Sequence, residues 1–249
     1  MFEAKLADPK LLKNGINAVY ELVKEQTLVQ LSNEGMMITA MDPAQVSMVI
    51  FRLLTPAFEA YKLQKEGTIG IDMERFNQVL KQVNPEDSLV LKIDENVLKI
   101  ICKSRSTRTF SIPLIELNEE IRQPPSLEFT TQAILSADIL NQAIEDSAVV
   151  SDSLVFDANN GVLQILAAGD VGKVETTLQS GDDAVRELKV KQHSRSRYAV
   201  DYLKKIIKGS KLSSDVQLNF RSDYPMQIDF AVQDLVKLSF VLAPRVESE

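Results

Sequence analysis

The sequence predicts an α+β protein made of two similar domains, each with helices on one side of antiparallel sheet. Three observations predict it. Apolar residues with helical spacing and apolar residues with strand spacing occur in the same order in both halves of the 249-residue chain, matching positions lie 126 to 128 residues apart, and a proline-bearing stretch separates the halves. A repeat of this kind decides architecture before any single element does, because each copy must bury its own apolar faces.

The elements follow in order. Met1 to Leu6 reads as a strand. Residues 9–24 read as a helix whose apolar face is Leu11, Leu12, Gly15, Ile16, Val19, Leu22 and Val23, leaving Lys10, Lys13 and Asn17 opposite. Its first turns match Ile139, Leu140, Ala143 and Ile144 of a helix over 135–147, at an offset of 128. Glu34-Gly35-Met36 and Asn160-Gly161-Val162, 126 apart, read as equivalent hairpin turns. Phe76, Val79 and Leu80, in a helix over 73–83, have the i, i+3, i+4 spacing that Leu203, Ile206 and Ile207 repeat 127 residues on, in a helix over 198–212. Leu89, Leu91 and Ile93 alternate as a strand does, as do Val216, Leu218 and Phe220, again 127 apart. Phe110 to Leu114 echoes Leu238 to Leu242 at 128. The domains are therefore expected at 1–117 and 129–249, with 118–128 a connector in which Pro124 and Pro125 remove backbone donors and favour extended chain.

Composition narrows the classes. With 45% hydrophobic and 25% charged residues the chain is expected to be globular. The lone Cys102 closes no intramolecular disulfide and fits no metal-ligand spacing, so no metal or cofactor is expected, and a reducing, intracellular setting is the natural reading. No segment reaches the roughly 18 apolar residues that span a bilayer, so no membrane partner is expected. The net charge of −7 conceals a segregation: the four helix candidates in chain order carry +2, +1, −3 and +3, while everything else sums to −10. If the helices share one side of the sheets, a polyanion prefers that side.

Three segments then carry a resemblance: Met1-Phe2-Glu3-Ala4-Lys5-Leu6, Met41-Asp42-Pro43-Ala44-Gln45-Val46-Ser47-Met48, and Leu242-Ala243-Pro244-Arg245-Val246-Glu247. With the duplication, the length, the acidic balance and the stretch Asp146-Ser147-Ala148-Val149-Val150-Ser151-Asp152-Ser153, the whole chain resembles the archaeal and eukaryotic proliferating cell nuclear antigen family. The resemblance implies the processivity fold: a homotrimeric ring of six similar domains, or a ring closed with related clamp subunits. Helices line the inner face, sheets form the outer face, and duplex DNA passes through without sequence preference. It implies no cofactor and no catalysis. Its expected partners are DNA polymerase, the clamp loader, flap endonuclease, DNA ligase and other proteins with a short clamp-binding motif, in an archaeal cytoplasm at the nucleoid or in a eukaryotic nucleus.

By position in that family, the DNA-facing candidates are Lys10, Lys13, Arg75, Lys81, Lys204, Lys205, Lys208 and Lys211; Tyr20 and Gln78 stand where the family often has lysine. The partner-docking pocket implied beneath the connector takes Met41, Val46, Met48, Ile121, Pro225, Val241, Leu242, Ala243, Pro244 and Val246, with methionines that adapt to several occupants. Gln123, Pro124 and Pro125 depart from commoner connector sequences. Subunit contact is implied between edge strands at Thr107–Ile112, including Thr107, Arg108, Thr109 and Phe110, and at Val174, Glu175, Thr176, Thr177 and Leu178. Arg105 and Arg108 are expected to complement Glu175 across that contact.

An enzyme has little to stand on. His193, in a polar Gln-His-Ser-Arg stretch, reads as an exposed residue, and no Gly-rich phosphate loop or nucleophile–base spacing occurs. The remaining rivals are a clamp that assembles only with distinct subunits and a checkpoint-type clamp, against which the intact Leu242 to Val246 segment speaks.

Overall fold

The computed structural model describes residues 2–118 and 120–245. These fold as two compact units. The first comprises Met1–Pro43, Val49–Pro124 and Val232–Leu238; the second comprises Ala44–Met48, Pro125–Ala231 and Ser239–Glu249.

In the first repeat the order is β1 (Phe2–Leu6), α1 (Pro9–Leu22), β2 (Gln26–Ser32), β3 (Gly35–Met41), β4 (Ser47–Leu54), β5 (Phe58–Leu63), β6 (Gly67–Asp72), α2 (Met73–Lys81), β7 (Ser88–Asp94), β8 (Val97–Lys103) and β9 (Thr107–Pro113). The second runs β10 (Thr131–Ser136), α3 (Ala137–Val150), β11 (Ser153–Asn159), β12 (Val162–Gly169), β13 (Gly172–Gln179), β14 (Val185–Val190), β15 (Ser194–Ala199), α4 (Val200–Ile206), β16 (Asp215–Phe220), β17 (Met226–Val232) and β18 (Val236–Leu242). A 3-10 turn, Ile207–Lys211, continues α4.

The pairing repeats as well as the order. β1 lies antiparallel between β5 and β7 as β10 lies between β14 and β16, and β2 pairs with β3 and β6 as β11 pairs with β12 and β15. Both repeats also break register at the same place, between Lys5 and Leu6 in one and between Ile134 and Leu135 in the other. An irregularity shared at one position marks common descent of the backbone better than any apolar match, since a bulge is a specific local geometry.

Each core is a helix pair over sheet. Leu12, Gly15, Ile16, Val19 and Leu22 of α1 are buried, and so are Leu140, Ala143, Ile144 and Ser147 of α3, which keeps the offset of 128. Leu11 is half-buried and Ile139 is 37% exposed, so this matched pair flanks the core and does not face it. The helix limits also move. Lys24 falls beyond α1, which reduces the charge of that helix to +1 and the total over the helices and the 3-10 turn to +2. Residues 148–150 belong to α3, adding no charge.

The hairpin turns are equivalent, but their glycines are not. Ser32 pairs with Gly35 around Asn33-Glu34, and Asn159 pairs with Val162 around Asn160-Gly161, so the structural offset is 127. Asn160 and Gly161 take φ of 49° and 78°, the doubly left-handed turn that an Asn-Gly pair favours. Gly35 opens the next strand instead, and a Cβ there would lie 2.1 Å from the Leu53 carbonyl oxygen. It is glycine for close approach and for its own φ of 133°, outside the two turn positions.

Candidate nucleic-acid interface and docking surfaces

The basic side chains are set by their helices. Asp8 caps α1, accepting from the Lys10 N–H at 2.9 Å, and Asp72 caps α2, accepting from the Arg75 N–H at 2.9 Å. Such caps satisfy donors the first helical turn leaves open. Neither α3 nor α4 has a side-chain cap, and each carries an acid in its first turn, Asp138 and Asp201, where the helix dipole favours it. Lys204 and Lys205 in the last turn of α4, then Lys208 and Lys211 in the 3-10 turn, sit at the end that favours cations.

The eight DNA-facing candidates are not equivalent in the fold. Lys10, Lys81, Lys205, Lys208 and Lys211 are exposed. Lys13 is half-buried, and its Nζ donates to the Val83 carbonyl at 2.8 Å and the Lys81 carbonyl at 3.2 Å, where α2 ends. It ties α1 to α2 and is only partly available to a phosphate. Arg75 leans on Asp72 at 3.4 Å, and Lys204 on Glu145 of the acidic α3 at 3.3 Å. Two of the others lie by aromatic rings: Lys81, together with Lys24, stands about 6 Å from the Tyr20 ring centroid, at 5.9 Å and 6.0 Å, and Lys205 stands 5.1 Å from that of Tyr202. The expected lysine at position 20 is thus replaced by a ring that holds two others nearby.

The docking candidates divide between the two units. In the first, Met41 and Ile121 are half-buried, and the Arg122 guanidinium reaches the Met41 sulfur at 3.7 Å. In the second, Val46, Met48, Pro225, Val241, Ala243 and Pro244 are half-buried, and the Ala243 N–H donates to the Val46 carbonyl at 3.0 Å, which brings two distant segments side by side. Leu242 is fully buried, because strand alternation turns it inward from Val241 and Ala243; its side chain lines no surface. Val246 lies outside the described residues.

Of the contact-strand candidates, β9 ends its five-stranded sheet and β13 ends its four-stranded one, so each offers an open backbone edge. Thr107, Thr109, Glu175 and Thr177 are exposed, Arg108, Phe110, Val174 and Thr176 are half-buried, and Leu178 is buried. In the single chain Arg108 and Glu175 each have partners within their own unit. Arg108 is held inside its own unit by the buried Asp87 carboxylate and by the Gln82 carbonyl at 3.1 Å, while Glu175 accepts from Gln164 at 2.7 Å and from Thr177 at 3.2 Å. Asp87 sits where i+2 alternation does not reach it, and nothing in its sequence neighbourhood marks it. Its carboxyl is held below the usual range by the Asn84 N–H first, then by the Ser104 hydroxyl and Arg108, against the opposing effect of burial.

His193 is exposed, as expected, and its Nε2 lies 2.9 Å from Asp157, which Arg195 also engages. Among the described residues no group of three or more His, Cys, Asp or Glu could hold a metal ion, and no helix is long and apolar enough to cross a membrane.

A duplicated α+β domain of this topology, with basic residues on its helices and an open strand edge in each unit, is the fold of the DNA sliding clamps. The family model for the proliferating cell nuclear antigen N-terminal domain matches residues 1–120 and that for the C-terminal domain matches residues 124–245. The chain is 36% identical over 224 residues to a DNA polymerase sliding clamp of Thermococcus gammatolerans, covering 90% of each, and 35% identical over 247 residues to that of Thermococcus sibiricus, covering 99% of each. The crystal structure of proliferating cell nuclear antigen from Thermococcus kodakaraensis superposes with a TM-score of 0.92 at 30% identity, covering 98% of this chain and all of that one. The counterpart from Entamoeba histolytica, at 21% identity and a TM-score of 0.91 over 98% of this chain and 99% of that one, shares the fold. The chain belongs to the proliferating cell nuclear antigen family.

Proposed function

We propose that this chain closes as a homotrimeric ring around duplex DNA, tethers a replicative polymerase for processive synthesis, and recruits other replication and repair proteins without catalysing a reaction. Family membership over the whole chain carries the reading. The open edges of β9 and β13 support ring closure, since each is a template for one further strand. The exposed lysines support sliding: long, mobile ammonium groups hold phosphates loosely and without reading bases. Within the second unit, half-buried Val46, Met48, Val241 and Ala243, on two segments joined by the Ala243 N–H to the Val46 carbonyl, support a docking surface for the short helix of a partner motif. The domain limits in this reading are 1–117 and 129–249, with an extended connector over 118–128. Archaeal relatives support a cytoplasmic, nucleoid-associated location.

Light scattering on the purified chain over a range of concentrations tests the ring. A mass near three times 27.8 kDa is expected. A persistent monomer or dimer overturns the homotrimer and directs the search to a related subunit.

A further inference from the structure

Strands β4, β3, β2 and β6 lie side by side in that order in the first unit, and the ladder sets Thr68 opposite Gln30 and Gln30 opposite Met37. The Arg52 Nε donates to the Met37 sulfur at 3.4 Å, which extends the row onto β4. Alternation turns Phe51 and Leu53 of β4 into the core and leaves Arg52 and Leu54 on the other face. Over this row lies a hollow of about 430 Å³ whose walls include Gln30, Ser32, Glu34, Met37, Arg52 and Leu54. None of these six is among the residues expected at DNA, at a partner's clamp-binding motif or at the subunit contact.

Opposite charges face this hollow, and among the described residues neither has an oppositely charged partner. Arg52 is exposed, and its bond to the weakly accepting sulfur uses Nε alone, so both terminal nitrogens of the guanidinium keep their N–H groups for a carboxylate. Glu34 is exposed at the turn; its backbone N–H donates to the Ser32 hydroxyl at 3.2 Å, which leaves the carboxylate uncommitted. Between the two charges the floor is apolar, built from the half-buried Met37 and Leu54. Beside it the Gln30 side-chain oxygen is buried without a hydrogen-bond partner, a cost that a ligand N–H would relieve once the amide turns about its terminal bond.

We propose that this hollow is a second docking site, for an extended peptide segment of a partner protein that carries an acidic, an apolar and a basic side chain at alternate positions. The acid meets Arg52, the apolar group covers Met37 and Leu54, and the base meets Glu34. The spacing supports this occupant. Glu34 precedes Met37 by three residues, at most about 11 Å of chain, and Arg52 lies one strand beyond Met37, about 4.8 Å across. Alternate side chains over five residues of extended peptide span about 13 Å, which reaches both charges. A nucleic-acid strand fits less well, because one guanidinium would have to offset the repulsion of its phosphates by Glu34. The site lies wholly in the first unit and does not rest on ring closure.

Fluorescence anisotropy of a labelled peptide with glutamate, leucine and lysine at alternate positions among serines, titrated with the full chain at low salt, tests the proposal. Saturable binding is expected, weakened about ten-fold by Arg52→Gln through loss of one charge-assisted pair, and weakened in the same direction by Glu34→Gln. Lys62→Gln, an exposed cation of the same unit on β5 of the other sheet, leaves it unchanged. Arg52→Glu should lose this peptide and bind one in which lysine replaces the glutamate. Melting and scattering mass should be unaffected in each variant, so failure here is distinguishable from failure of the ring. Absence of saturable binding, binding indifferent to Arg52→Gln, or no rescue by the lysine peptide overturns the proposal. So does equal binding of a labelled oligothymidylate with the same Arg52 dependence, which makes the hollow a nucleic-acid site. A scattering mass that falls in Arg52→Gln assigns this face to contact between copies of the chain, and also overturns it.

Discussion

Arg108 places its guanidinium on the buried carboxylate of Asp87 and on the Gln82 carbonyl, joining the edge strand β9 to the segment that follows α2. Removing Arg108 leaves Asp87 buried without its cation, which costs more than the pair contributes. Arg108→Glu should therefore lower the melting midpoint by an amount on the order of a few degrees, moderated by the partial exposure of Arg108. Melting at concentrations above and below assembly checks this: a midpoint unchanged in the unassembled chain would show that the pair does not hold the domain.

The same carboxylate gives a pH dependence with a definite sign. Its pKa is lowered on folding, by the Asn84 N–H foremost, so the native state binds its proton more weakly than the unfolded chain does. That stability is present above the ordinary aspartate pKa of about 3.9 and is lost as pH falls through the lower folded value. Acid titration by circular dichroism should show a shallower loss below about pH 4 for Asp87→Asn than for the natural chain. Equal slopes would remove Asp87 from the account.

At the alkaline end the group is Tyr61, whose O–H is shared between the carbonyls of Ser32 at 2.8 Å and Gly35 at 2.9 Å, the residues on either side of the Asn33-Glu34 turn. Burial, with the nearby Glu66 charge, pushes the phenol up to about 12. A raised folded pKa means stability complete below the unfolded value of about 10 and lost as pH rises through the folded one. Tyr61→Phe should cost about 1 kcal/mol at neutral pH and flatten the loss between about pH 10 and 12, followed by urea midpoints across that range.

Gly15 separates packing from propensity. Alanine is the better helix former, but a Cβ at Gly15 would stand 2.1 Å from the Phe51 ring, inside contact distance. Gly15→Ala should destabilise by about 1–3 kcal/mol, while Gly67→Ala, with nothing near, should stay within about 0.5 kcal/mol of neutral. Urea unfolding of the two variants decides it. The second repeat already carries Ala143 at the equivalent position.

Lys13 and Lys208 should part company. Lys13→Met removes bonds to two carbonyls and should lower stability by about 1 kcal/mol, whereas Lys208→Met, exposed in the 3-10 turn after α4, should leave stability unchanged. On DNA the ranking reverses: each exposed lysine that meets a phosphate should reduce the salt-dependence slope by about 1, and Lys13 should reduce it less. Binding of loaded clamp to duplex DNA at several salt concentrations, beside melting curves, tests both halves.

Much of the fold was legible because repeats are visible to simple periodicity. Leu12 with Leu140 and Leu89 with Val216 keep their partners at core positions in both units. Where matching used residue identity instead of pairing it slipped, as at Gly35 and Gly161, which do different work one register apart. The candidate interface was legible as a list of basic helix positions but not as a set of roles. Position on a helix face says that Lys13 leaves the core, and only the neighbouring end of α2 decides that its ammonium is used there. Leu242 joins the implied docking pocket by its position in the family, and strand alternation buries its side chain, which position along the chain does not reveal.

The sequence by itself determined that this protein is two copies of one α+β domain with its cations concentrated on helices, because apolar period and local charge are properties of neighbours along the chain. Tertiary structure alone decided which of those charges are committed and which are open. Asp87 with Arg108, Tyr20 beside Lys24 and Lys81, and the row from Arg197 through Val155 and Leu166 to Glu175 bring together residues between 4 and 61 positions apart along the chain. Such pairings depend on strand register and helix docking, which are settled by the burial of whole faces and leave no local trace in the residues that end up in contact.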